Sequence, residues 1–182
     1  MSRESRETAI LLSHEYPPYI FGGVATYTKH VAEWLSNNGW KVFVIAGKVG
    51  AVEKVRIEKV SENLTVIRVH FPEVPPRWLL YAVPARSVLK KLLKMNVKVI
   101  LSNNPLTWLT LRELKTKAKI ATVFHGSIYS LLAFFHYATW KDLKTVHLEE
   151  LIYYNEISLI NYLTKRDLGI SDLLIFVANH VA

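Results

Sequence analysis

Two kinds of hydrophobic pattern alternate along the chain. Unbroken apolar runs bounded by turn residues read as buried strands: Thr8 to Ser13 (TAILLS), Lys41 to Ala46 (KVFVIA), Leu64 to Phe71 (LTVIRVHF), Val97 to Leu101 (VKVIL), Lys119 to Phe124 (KIATVF) and Asp172 to Ala178 (DLLIFVA). The charged stretch Val49 to Val60 reads as a loop with an edge strand. Between the runs, apolar residues recur at helical spacing. Val24, Tyr27, Val31, Trp34 and Leu35 form the first such stripe, and Asn38-Gly39 stops it.

The proline-rich FPEVPPRW reads as a loop, with Pro84 in the first turn of a helix that Val88, Leu89, Leu92 and Leu93 continue to Met95. Asn104-Pro105 is an N-cap followed by proline at the first helical position, and Leu106, Leu109 and Leu114 carry that helix. Two further helices are predicted over Tyr129 to Trp140 and Leu148 to Leu163. Glu149 and Glu150 lie in the first turn of the second, and Lys165 and Arg166 just past its end. Strands alternating with helices indicate a Rossmann-like α/β domain, a mostly parallel sheet with helices on both faces. In such sheets ligands sit beyond the carboxyl ends of the strands. The loop at 14–23, the Asn103-Asn104 loop and the His125-Gly126 loop all emerge there.

Composition narrows the choices. At 182 residues and 51% hydrophobic the chain suits one domain with a full core. With no cysteine, disulfides and thiolate metal sites are excluded. The seven histidines form no H-x-x-x-H or H-E-x-x-H pair, so no metal is expected, and without a G-x-S-x-G elbow no serine-hydrolase site is indicated. The apolar run near the N-terminus is only four residues long, short for a signal-peptide core. Ile120 to Trp140 lacks charged side chains but contains His125, Gly126, Ser127, Ser130 and His136. It reads as strand, loop and helix instead of a membrane span. A cytoplasmic protein is the expectation.

The first strand runs into HEYPPYIFGGVATYTKHVAEWLSNNGW, residues 14–40. Adjacent glycines before a helix let the backbone approach a ligand, and the helix N-terminus favours an anion such as phosphate. A tight strand-to-helix connection is the plainer alternative. The spacing matches neither G-x-G-x-x-G nor G-x-x-x-x-G-K-[ST], so both common nucleotide-binding fingerprints are absent.

The order of pieces is more specific. A short strand, Tyr16-Pro17-Pro18, Phe21-Gly22-Gly23-Val24, a helix and Asn38-Gly39-Trp40-Lys41-Val42 resembles the start of retaining glycosyltransferases of family 4 (glycosyl transferase group 1), which have the two-domain GT-B architecture. Phe124-His125-Gly126 and the Ser171-Asp172 run agree in order, so the resemblance covers roughly residues 8–180. Val177-Ala178-Asn179 departs from it where a serine commonly closes the strand.

The resemblance implies a sugar transfer, with retention, from a nucleotide-sugar donor to a glycan or lipid-linked acceptor. It implies no cofactor or metal. Gly22 and Gly23 match the loop near the donor phosphates and acceptor, and His125 matches the histidine near the donor sugar. Glu15, Asn103, Asn104, Ser127 and Tyr129 lie on the same rim as candidate acceptor contacts. The second Rossmann domain, which in this family holds the nucleotide with a basic pair and a glutamate motif, has no counterpart here. The chain is therefore expected to be a single acceptor-side domain over residues 1–182, inactive alone.

Charge adds one feature. Of a net +8, residues 77–119 carry ten basic side chains against Glu113 alone. Arg86, Lys90 and Lys94 are four apart and share one helical face, with Lys91 beside them and Arg77 and Trp78 preceding them. A basic face beside an apolar loop suits an anionic membrane surface, so contact with the inner face of the membrane is an expectation. A solvated lysine face is the bland alternative. Nucleic acid is the less favoured partner, because stacking aromatics do not interleave the charges. A stand-alone module binding a glycan or anionic lipid without chemistry is the alternative to a transferase domain.

Overall fold

The computed structural model describes residues 7–20, 22–48, 54–72, 77–103, 105–125 and 157–177. Their elements run β1 (Thr8–Ser13), α1 (Gly23–Asn37), β2 (Lys41–Lys48), β3 (Val55–Lys59), β4 (Leu64–His70), α2 (Arg77–Leu92), β5 (Val97–Asn103), α3 (Leu106–Leu111), β6 (Lys119–Phe124), α4 (Ile157–Ile170) and β7 (Leu173–Phe176). The seven strands form one sheet in the order β3-β4-β2-β1-β5-β6-β7. Every pairing is parallel except that of edge strand β3 with β4.

Strand alternation divides the core between two faces. Ile10, Leu12, Ile45, Ile67 and Val69 point toward α2, α3 and α4, where they meet Tyr81, Leu89, Leu106 and Leu163. Ala9, Leu11, Val42, Val44 and Val66 point to the other face, where Ala32 of α1 covers them with Val31 and Leu35. Helices thus flank both faces of a Rossmann-like sheet.

Several local expectations shift. In α1 the buried face is Ala25, Thr28, Ala32 and Ser36, one step round from the anticipated stripe, and Trp34 is 63% exposed. Small side chains let this helix lie close on the sheet. Helix α2 starts at Arg77, so Pro84 lies inside it and not in its first turn. The missing Pro84 N–H leaves the Leu80 carbonyl without its helical donor. Burial outweighs that loss: Trp78, Tyr81, Ala82, Ala85 and Leu89 form one buried stripe, and the Tyr81 hydroxyl donates to the Ile45 carbonyl at 2.6 Å.

Helix α3 begins at Leu106 with Pro105 as its N-cap, and Asn104 lies outside the described residues. Its cap comes from elsewhere in the fold. The buried carboxylate of Asp167 accepts the Trp108 amide at 2.7 Å. That helix ends at Leu111, leaving Leu114 beyond it. Helix α4 continues to Ile170, which puts Lys165 and Arg166 within it. Strand β7 ends at Phe176. The helix expected over residues 129–140, with Glu149 and Glu150, lies outside the described residues.

Candidate functional site

The carboxyl ends of β1, β5 and β6 bring three sequence-predicted residues together. Strand β1 runs parallel to β5 and β5 to β6, so His14-Glu15, Asn103 and His125 emerge on one rim. The imidazole Nε2 of His125 lies 2.7 Å from Asn103 Oδ1. Asn103 is itself 5% exposed, and its Nδ2 donates to the Leu12 carbonyl at 3.4 Å. That second bond orients the amide so that Oδ1 faces the ring. His125 therefore donates from Nε2, and the neutral ring keeps its lone pair on Nδ1. The Tyr27 ring stands edge-on to the imidazole at 4.9 Å. Burial pulls the His125 pKa below its ordinary 6.5; nearby Glu15 opposes the shift and His14 adds to it. The ring is neutral at pH 7, an acceptor for a hydroxyl and not a fixed cation.

The glycine loop is tied to the same rim by Glu15. Its carboxylate, 4% exposed, accepts the Gly22 amide at 2.8 Å. His14 Nε2 is 3.5 Å from its other oxygen, and Ser13 Oγ donates to the Glu15 carbonyl at 2.6 Å. Glu15, a candidate acceptor contact on this rim, is buried and orders the glycine loop.

Between Glu15 and Gly22 the chain makes a tight turn closed by two backbone bonds between Tyr16 and Tyr19. Arg68 of β4 holds this turn from below. Its guanidinium donates to the carbonyls of Pro17 (2.5 Å) and Tyr16 (3.3 Å) and to Glu58 Oε2 (2.8 Å), and it lies over the Tyr16 and Tyr19 rings. Burial, reinforced by Glu33 and opposed by Arg68, pushes the Tyr16 phenol up to about 12.

Among the described residues nothing crowds the two glycines. Gly22 is extended, with φ −165°, and a Cβ added to it or to Gly23 would meet no atom within 4 Å. By contrast, a Cβ on Gly47 would collide with the His14 carbonyl and the Phe71 ring, and Gly39 needs its φ of +86° to end α1. Among the described residues the packing gives no reason for glycine at 22 and 23.

This geometry meets an independent finding. The family model for Glycosyltransferase Family 4 matches residues 21–181. The chain belongs to that family. No curated protein sequence matches it. Among solved structures, a family 4 domain of this shape is similar to a piece of sucrose-phosphate synthase from Thermosynechococcus elongatus, with TM-score 0.63 and 14% identity over 96% of this chain and 78% of that one. Intact sucrose-phosphate synthase from the same organism gives 0.55 and 15% over 94% of this chain and 48% of that one. An α,α-trehalose-phosphate synthase (UDP-forming) from Burkholderia xenovorans, in complex with glucose-6-phosphate, gives 0.53 and 15% over 96% and 42%. The chain thus spans less than half of these intact proteins, and its sheet is one half of a GT-B fold.

Other candidates on this family 4 domain fall elsewhere. Asn104, Ser127 and Tyr129 lie outside the described residues, as does the Arg77 side chain. Trp78 is not on a surface loop. It is 2% exposed in the core, because it opens the buried stripe of α2. Lys90, Lys91 and Lys94 are exposed, while Arg86 donates to the Thr110 carbonyl (3.3 Å) and Glu113 (3.5 Å). Among the described residues no group of His, Asp or Glu side chains could hold a metal, and no helix is long and apolar enough to cross a membrane.

Sequence reasoning missed two residues of the site. The sequence places Tyr27 only in a helical stripe, and the patterns that mark the rim do not include Arg68. A lone arginine within LTVIRVHF, otherwise a buried strand, was the available signal.

Proposed function

We propose that this chain is the acceptor-side domain of a retaining glycosyltransferase, which moves a sugar from a nucleotide-sugar to a glycan or lipid-linked acceptor. A second Rossmann-like domain holds the nucleotide, and the 182-residue chain alone does not transfer sugar. The observation that carries this reading is the open space before Gly22 and Gly23, beside a neutral histidine. Glycines that the packing of the described residues does not require are explained by a ligand that must approach their backbone. The proximity of α1's first turn supplies amides for negative charge that develops as the donor's diphosphate leaves.

In this reading His125 accepts a hydrogen bond from a sugar hydroxyl at Nδ1, with the ring held by Asn103. Glu15 and Arg68 hold the loop at the height the sugar requires. The exposed lysines of α2 support a cytoplasmic protein that touches the inner face of the membrane by charge alone, since Trp78 is not available to insert.

Gly23→Trp in the full-length protein tests the assignment. The variant is expected to keep its circular-dichroism spectrum and melting temperature while losing transfer from radiolabelled nucleotide-sugars. Undiminished transfer would take the loop out of the mechanism.

A further inference from the structure

A second concavity lies far from the rim. The end of α2 and the connection from α3 to β6 enclose a groove of about 470 Å³ with Arg86, Lys90, Lys94 and Lys115 on its walls and Leu93 and Leu114 lining it. Both walls lead directly into the amino ends of strands: residue 94 is followed by β5 at Val97, and residue 115 by β6 at Lys119. The groove is therefore at the opposite edge of the sheet from His125.

We propose that this groove is a binding site for a phosphate-bearing ligand. The dipole of α2 favours Lys90 and Lys91 in its last turn. It gives no reason for Lys115 on the facing wall, or for Arg86 two turns back. Four cations around one cavity concentrate anions there. The single carboxylate among them, Glu113, reaches Arg86 at only 3.5 Å with its side chain 80% exposed. Glu113 also holds φ +64°, a left-handed backbone uncommon outside glycine. It stands as a loosely held counter-ion, and a phosphate would replace it on Arg86 with two acceptor oxygens. The proposal rests on the charged-face reading of α2 given above and not on sugar transfer, because no residue of the rim takes part.

The phosphate could belong to a lipid headgroup or to a soluble molecule, and two probes separate these sources. In the full-length protein, inorganic pyrophosphate is titrated by calorimetry at low salt, and sedimentation is measured with phosphatidylcholine vesicles with and without phosphatidic acid. The expected result is a component of binding to either probe that Lys90→Glu with Lys94→Glu weakens about tenfold and that Glu113→Gln tightens. Sedimentation with phosphatidic acid, competed by pyrophosphate, makes the ligand a headgroup; pyrophosphate binding that depends on Lys90 and Lys94, without sedimentation, makes it soluble. If neither probe binds, or if the lysine variant and Glu113→Gln alter no component of the binding, the groove is not a phosphate site. Unaltered spectra confirm that these exposed substitutions leave the fold intact.

Discussion

Gly47 and the Gly22-Gly23 pair are glycines for opposite reasons, and substitution separates them. At Gly47 a Cβ would press on the His14 backbone carbonyl, which cannot rotate away. Gly47→Ala is expected to lower stability by about 2 kcal/mol, read from chemical denaturation. At 22 and 23 the added methyl meets nothing among the described residues, so Gly22→Ala and Gly23→Ala should change stability by less than about 1 kcal/mol. Transfer by the full-length protein should fall at least about tenfold, a loss of about 1.4 kcal/mol in transition-state binding. His125 gives a pH signature. Its folded pKa lies below the unfolded 6.5, so the unfolded chain binds the extra proton as pH falls through that window. Its contribution is present above 6.5 and is lost on acidification. His125→Gln should flatten the dependence of the urea midpoint on pH below that value. The histidine was legible from its place at a strand end. That Asn103 would orient the ring was not, because a hydrogen bond across 22 residues depends on which strands are neighbours.

At the scale of elements, Arg68 links β4 to the loop that carries the glycines. It is 3% exposed, and its guanidinium satisfies two carbonyls and Glu58. Arg68→Met removes the donor to the Pro17 carbonyl, while the Tyr16 carbonyl keeps the Tyr19 amide and Glu58 keeps Arg56. It should cost about 2–4 kcal/mol. Hydrogen exchange should accelerate first at the Tyr16, Tyr19 and Gly22 amides, which the clamp supports. Exchange that quickens only in the core would assign Arg68 a packing role instead. The elements best read from sequence were those whose signal is contained within them. Strand β6 falls on the expected Lys119–Phe124, and β1 on Thr8–Ser13. The ones misjudged depend on distant partners. Asp167, 59 residues from Trp108, supplies the cap that Asn104 was expected to give. The start of α2 is set by Trp78 and Tyr81 meeting the sheet, a tertiary gain that overrides the proline signal at Pro84.

Across the whole molecule, the parallel sheet separates two kinds of chemistry. The rim at the carboxyl edge presents an inward carboxylate, a neutral imidazole and open backbone, while the amino edge presents a basic groove. Strand β5, seven residues from Val97 to Asn103, spans the distance between them, about 23 Å at 3.3 Å per residue. At that separation, with no shared side chains, substitutions at the two places should act independently to within about 0.5 kcal/mol. The full-length protein assayed on a soluble acceptor should therefore lose transfer with Gly23→Ala and keep it with Lys90→Glu plus Lys94→Glu. The combined variant should equal the product of the separate effects to within about a factor of two. A vesicle-borne acceptor would change that arithmetic if the groove holds its headgroup. The lysine variant would then reduce transfer on vesicles alone, at unchanged rates in solution. Equal losses on both acceptors would mean that charge at the amino edge reaches the rim through the protein, and would make the sheet a conductor of coupling and not a divider.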